Sequence, residues 1–211
     1  MDAMYRLPAD EIVTDELEIK RSRFITFITR VTDETSARGF IDAVKADYPD
    51  ARHHCSAYIY RVDGANPVER SSDDGEPSGT AGNPMLEVLR GSGMLDIAAV
   101  VVRYFGGIKL GTGGLVRAYS DAVDGCLGKV TVTRKDEKDL FTLTVSHTEA
   151  GRLEADLRGR GITVTGVDYT SRATITVAVD KAAGDELSST VAALTKGTTV
   201  PRAAGSMWVE Y

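Results

Sequence analysis

The stretch Val100 to Ser120 reads V-V-V-R-Y-F-G-G-I-K-L-G-T-G-G-L-V-R-A-Y-S, and the fold turns on it. An apolar β-branched run ends in Arg103, Tyr104 and Phe105. Glycines follow at 106, 107, 111, 113 and 114, and from Leu115 the spacing is helical. Strand, glycine loop and helix shape a backbone to receive an anion, because the free N–H groups of a helix start point outward. The expected anion-binding set is Arg103, Lys109, Gly111, Thr112, Gly113, Gly114 and Arg117. Neither Gly-Lys-Ser/Thr nor a dinucleotide fingerprint with its distal acid is present, so a Walker loop and a Rossmann loop are excluded. The competing reading is a tight turn in which glycines let helix and strand approach closely.

A second loop, Ser71 to Leu86, reads S-S-D-D-G-E-P-S-G-T-A-G-N-P-M-L. Asp73, Asp74, Glu76, Ser78 and Thr80 are expected to face the glycine loop across one cleft. Acids and hydroxyls of this kind can hold a hard cation, or can cap their own backbone. A third role is to pair with Arg103 or Lys109. No metal or cofactor is assigned; Asp73 and Asp74 come nearest to a Mg²⁺ site.

Around these loops the chain divides into elements. Glu11 to Val31 reads as two strands, and Asp33 caps a helix carrying Ala37, Phe40, Ile41 and Val44 before Pro49. His53 to Arg61 is a strand with His53 and Cys55 on one face and His54 on the other. These three residues suit half a metal site or a thiol centre, or else a half-buried strand whose histidines bond to a loop. The polar segment 62–83 reads as a loop, with a helix from Pro84. Ile97 to Tyr104 reads as a central strand buried on both faces. Lys129 to Asp139 reads as a short strand and a charged domain junction. Beyond it the order βαββαβ closes the chain, with Met207 to Tyr211 as the last strand. Lys20, Arg21 and Arg23 form a basic cluster at a strand junction, either a charged edge or a phosphate contact.

At 211 residues the chain suits one or two domains, and 42% hydrophobic with 27% charged residues is ordinary for a soluble globular protein. No run reaches bilayer length, and the acidic start M-D-A-M-Y-R-L-P-A-D-E lacks a signal-peptide core. Cys55 and Cys126 make no disulfide framework, so the expected location is the cytoplasm. The net charge of −6 excludes a broad duplex-binding face. Yet no acid lies between Asp96 and Asp121, where Arg103, Lys109 and Arg117 stand, which suits a focused anion site.

The blocks at 71–86 and 101–120, with E-I-K-R-S-R-F-I at 18–25 and A-R-H-H-C-S-A-Y at 51–58, resemble the signature blocks of the YigZ/IMPACT family. The resemblance implies an α+β protein. Residues 1–133 would form an N-terminal domain like domain 2 of ribosomal protein S5. Residues 134–211 would form a ferredoxin-like domain similar to the last domain of elongation factor G. It implies a bacterial, cytoplasmic protein that binds RNA or acts near the ribosome. The eukaryotic members regulate translation through an additional N-terminal module, which this chain is expected to lack. The expected function is therefore anion and phosphate binding in an RNA- or ribosome-associated protein linked to translation, more a binding module than an enzyme. The alternative is a Mg²⁺-dependent small-molecule phosphotransferase or phosphohydrolase built from the same two loops.

Overall fold

The computed structural model describes residues 4–211. It is a mixed α+β structure with two antiparallel sheets and five helices. The chain separates into two compact units, Tyr5–Arg134 and Lys135–Tyr211.

In the first unit, strands β1 (Met4–Pro8), β2 (Val13–Ile19) and β3 (Ser22–Arg30) precede helix α1 (Glu34–Asp47). Then come β4 (His53–Tyr60), β5 (Val68–Ser72), α2 (Gly82–Ser92), β6 (Ile97–Tyr104) and α3 (Thr112–Leu127). The sheet order is β2-β3-β6-β4-β5, antiparallel throughout. β6 lies at the centre, and its continuous apolar run follows from burial on both faces. Ile97, Ala99 and Val101 pack with α2 and α3, while Ala98, Val100 and Val102 pack in the clusters that hold α1. Asp33 caps α1 as expected, in a capping box with Ser36. The loop 62–83 is not wholly irregular: β5 runs along its middle as a sheet edge, and its sequence Val-Glu-Arg-Ser-Ser has none of the apolar alternation that marks a buried strand.

The second unit contains most of β7 (Val132–Val145), α4 (His147–Gly159), β8 (Thr163–Tyr169), β9 (Ala173–Asp180), α5 (Gly184–Thr195) and β10 (Arg202–Glu210). Its strands run β10-β7-β9-β8, with these three pairings antiparallel, and β1 also pairs with β7 to make the sheet five-stranded. Leu143, Val145, Ile175 and Val177 meet Leu153, Leu157, Leu187 and Val191 of the two helices in one core. The two units divide at Arg134 and Lys135, within the stretch read as the junction, and the strand there is longer than expected: β7 runs through the whole charged stretch from Arg134 to Asp139. Its charges are matched within the sheet and its turns, Lys138 with Asp136 and Asp180, and Lys181 with Glu137 and Asp139. β10 also starts earlier than Met207, because Arg202 and Ala203 pair with Thr142 and Phe141.

Candidate anion-binding cavity

The site grows from the end of β6. By register, Arg103 stands beside Phe24 of β3 and His53 of β4, which puts its guanidinium at the edge of the core. It is only 7% exposed. A charge so placed must be paired or it would be prohibitively costly. Its Nη1 donates to Glu76 Oε1 at 2.6 Å, and the guanidinium sits 5.5 Å from the Phe24 ring and 5.7 Å from the Phe105 ring. Nε is buried without a hydrogen-bond partner. The same Oε1 accepts from the Tyr119 hydroxyl of α3 at 2.8 Å. Cys55 of β4 completes the network, its thiol 3.0 Å from the Asp73 carbonyl and 3.3 Å from Tyr119 Oη. Burial pushes the Cys55 thiol up to about 12 and raises the Tyr119 phenol. Both stay protonated at neutral pH, so Cys55 is no ready nucleophile.

The acidic loop holds itself together. Asp73 accepts from the backbone N–H groups of Gly79 at 2.7 Å, Ala81 at 3.0 Å and Gly82 at 2.8 Å, closing the entry to α2. Burial raises the carboxyl of Asp73, but the three amides outweigh it and hold it below its ordinary value. Asp74 has a left-handed backbone, φ 41°. Its Oδ2 accepts from His54 N–H at 2.7 Å and its Oδ1 from Lys45 at 3.2 Å. His53 Nδ1 lies 2.9 Å from the Asp74 carbonyl, and His54 Nε2 lies 2.8 Å from the Tyr48 carbonyl. The histidines thus brace a loop. Among the described residues no group of three or more His, Cys, Asp or Glu side chains is placed to hold a metal.

The glycine loop is shaped by contact at one end. A Cβ on Gly106 would lie 2.0 Å from the carbonyl carbon and oxygen of Arg21, so only glycine fits there. Gly106 N–H donates to Ser22 Oγ at 3.2 Å, locking the loop to the β2–β3 hairpin. Lys20 and Arg21 form that hairpin's two-residue turn, with φ 48° and 63°. At the other end Gly111, φ 76°, leads into α3, and no side chain caps the helix.

Between the loops lies a cavity of about 640 Å³. Pro77, Tyr104, Phe105, Leu110 and Leu115 give it apolar walls. The buried pair Glu76 and Arg103 lines it, together with Asp50, Arg52, His53, Lys109, Gly111 and Thr112. Of the residues picked out from sequence, Arg103, Lys109, Gly111, Thr112 and Glu76 are thereby brought together. Gly113 and Gly114 continue the first turn of α3 away from the lining. Arg117 also lies off the lining, with 84% of its side chain exposed and its Nε 3.5 Å from Asp121. Asp73, Asp74, Ser78 and Thr80 lie behind Glu76 and Pro77 in the chain but do not line the cavity; the Thr80 hydroxyl donates to the Pro77 carbonyl at 2.7 Å. Arg23 pairs with Glu16 at 2.7 Å on the strand surface. Arg52 and the hydroxyl of Tyr119 were not singled out from the sequence. Arg52 lies in the 51–58 block that carries the family resemblance, but no binding role attaches to it there, and Tyr119 reads as a core position on the apolar face of α3.

Fold and cavity define a two-unit α+β protein in which an uncapped helix start and a buried ion pair line one cavity. Residues 20–127 match the Impact N-terminal domain family, and residues 143–198 match a domain family of unknown function, DUF1949. The IMPACT family member YigZ of Escherichia coli is 41% identical over 192 residues, 91% of this chain and 94% of the relative. The IMPACT family member YvyE of Bacillus subtilis is 37% identical over 182 residues, 86% of this chain and 83% of the relative. A crystal structure of a hypothetical protein, 40% identical, covers 97% of this chain and 98% of its own, with a TM-score of 0.64. The chain belongs to the IMPACT family.

Proposed function

We propose that this chain is a cytoplasmic phosphate-binding protein that associates with RNA or the ribosome and acts in the regulation of translation. The observation that carries this reading is the uncapped start of α3 opening on a cavity lined by Lys109 and Arg52. Four N–H groups at a helix start lack intrahelical partners, and the helix dipole favours an anion there. Arg103 contributes little net charge, since Glu76 neutralises it. The attraction comes from Lys109, Arg52 and the amides of Thr112, Gly113 and Gly114. Arg117, exposed further along α3, meets a following phosphate of the same strand. Asp73, Asp74, Ser78 and Thr80 hold Glu76 and Pro77 in place.

The domain reading goes with it. Residues 1–133 are read as the IMPACT-type domain, like domain 2 of ribosomal protein S5. Residues 134–211 are read as a ferredoxin-like domain similar to the last domain of elongation factor G. The strand order β10-β7-β9-β8 supports the second assignment. The link to translation rests on the family resemblance.

Binding of purified ribosomes and short single-stranded RNA across a salt series tests the reading. Neutralising two phosphates of a single strand gives a slope of log K against log salt of about −1.5. The double variant Lys109→Ala, Arg52→Ala abolishes this binding, and Arg117→Ala weakens RNA but leaves inorganic phosphate unaffected. Equal binding by wild type and the double variant sinks the proposal.

A further inference from the structure

The cavity is more than an anion seat. Resting on the anion reading above, we propose that it receives one unstacked nucleotide, whose phosphate sits at the start of α3 and whose amino-bearing base lies against Phe105 and donates to Glu76.

Three observations select this ligand class. The first is size and shape. About 640 Å³ falls in the range of small-molecule sites. A cube of that volume is about 9 Å on edge, less than the roughly 12 Å major groove alone of a duplex. One nucleotide enters; a helix does not. The second is the apolar wall. Phosphate alone has no use for Pro77, Leu110, Leu115 and an aromatic ring, whereas a ribose and base do. Phe105 is 55% exposed, an unusual cost for a phenyl ring at the mouth of a cavity, and its ring is backed by the Arg103 guanidinium. An aromatic face of this kind stacks an unpaired base.

The third is the acid in the lining. Glu76 is 9% exposed and lines the cavity. Both its donors, Arg103 and Tyr119, bond to Oε1. Among the described residues no hydrogen bond is placed on Oε2. Arg103, equally buried, keeps its own Nε unpartnered. An acceptor oxygen of a largely buried carboxylate, left without a protein donor on a cavity wall, is a receptor for an N–H, and a site built to bond such a group rejects the analogue that lacks it. An anion would be repelled there. The lining therefore carries two different preferences: negative charge at Lys109 and the start of α3, a hydrogen-bond donor at Glu76. Cytosine, adenine and guanine present an exocyclic amine; uracil presents a carbonyl in its place.

Cytidine and uridine monophosphates give the cleanest comparison, since amine becomes carbonyl with little change of size. Isothermal titration of the full chain with CMP, UMP, cytidine and inorganic phosphate is the experiment. CMP is expected to bind at least fivefold more tightly than UMP, and more tightly than either cytidine or phosphate. Phe105→Ala weakens CMP roughly tenfold, as loss of a stacking platform does, and leaves phosphate unchanged. Because Phe105 is exposed, the variant folds; Phe105→Tyr retains binding. A 5′-phosphorylated trinucleotide beginning with C then separates the sources. Competition with CMP at higher affinity identifies a strand end as the occupant, and weaker competition identifies the free nucleotide. If phosphate or RNA binds through Lys109 but CMP binds no better than phosphate, or no better than UMP, the nucleotide pocket is wrong and the anion reading survives. If neither phosphate, CMP nor RNA binds, both are wrong.

Discussion

Two loops of similar composition stand side by side in the first unit, and they do opposite things. The loop from Asp73 to Gly82 turns its acids inward: Asp73 collects three of its own backbone amides and Asp74 a fourth from β4. The loop from Phe105 to Thr112 is fastened at Gly106 and then presents Lys109, Gly111 and an uncapped helix start to the cavity. Acceptors buried against a loop's own donors make a strut. Donors left facing a cavity make a receptor. Composition alone does not separate the two, because both are rich in glycine and hydroxyls.

The contrast breaks most sharply at Gly106, the one place where the receptor loop is structural. Gly106→Ala drives a Cβ into the Arg21 backbone and lowers the melting temperature by about 10 °C or more. Gly107→Ala, with φ 86° and open space around it, costs only about 1–2 kcal/mol for its left-handed backbone. Circular-dichroism melts of the two variants compare them directly, and equal losses would remove the role given to the Arg21 contact. Next in size is the strut. Asp73→Ala orphans three amides and lowers stability in urea by about 3 kcal/mol.

The pH dependence is a gentler test of the same loop. The carboxyls of Asp73 and Asp74 are held below their ordinary values in the folded state. A depressed folded pKa adds stability above the unfolded value, near pH 4, and that stability disappears as pH falls through the folded value. Wild type is therefore expected to lose stability more steeply below pH 4 than Asp73→Asn, measured by urea midpoints between pH 6 and pH 2.5. Parallel curves would mean that Asp73 does not titrate with folding. The smallest stability effect belongs to the receptor. Lys109→Ala changes folding stability by no more than about 0.5 kcal/mol while anion binding falls. A Lys109 variant that melts early would turn the receptor into a second strut.

Much of this architecture is legible in the sequence. The apolar run at 97–104 implies a strand covered on both faces, and α1 and the α2–α3 pair cover it. Asp33 announces a helix start, and the periodicities of α4 and α5 set the helical half of the second core. What is not legible has physical causes. β5 carries its pairing in backbone hydrogen bonds and shows no apolar face. The charges of β7 hide how far the strand runs, because their partners lie across the sheet and on the following turn. In the candidate site, the glycine loop is visible as a motif. The bond between Arg103 and Glu76 joins residues 27 apart, and sequence offers pairing with Arg103 as one of several uses for the acidic loop. Arg52 enters the lining through the position of β4 beside β6, a matter of register.

Cys55 gives the strut a built-in clock. Its sulfur lies under the acidic loop, against the Asp73 carbonyl, with no solvent exposure and with its proton firmly held. An alkylating reagent reaches it only in the moments when the loop lifts from β4. The labelling rate of this thiol, read apart from that of the equally buried Cys126 by peptide mass, therefore counts loop openings without a mutation, and an occupant that clamps Glu76 slows the count.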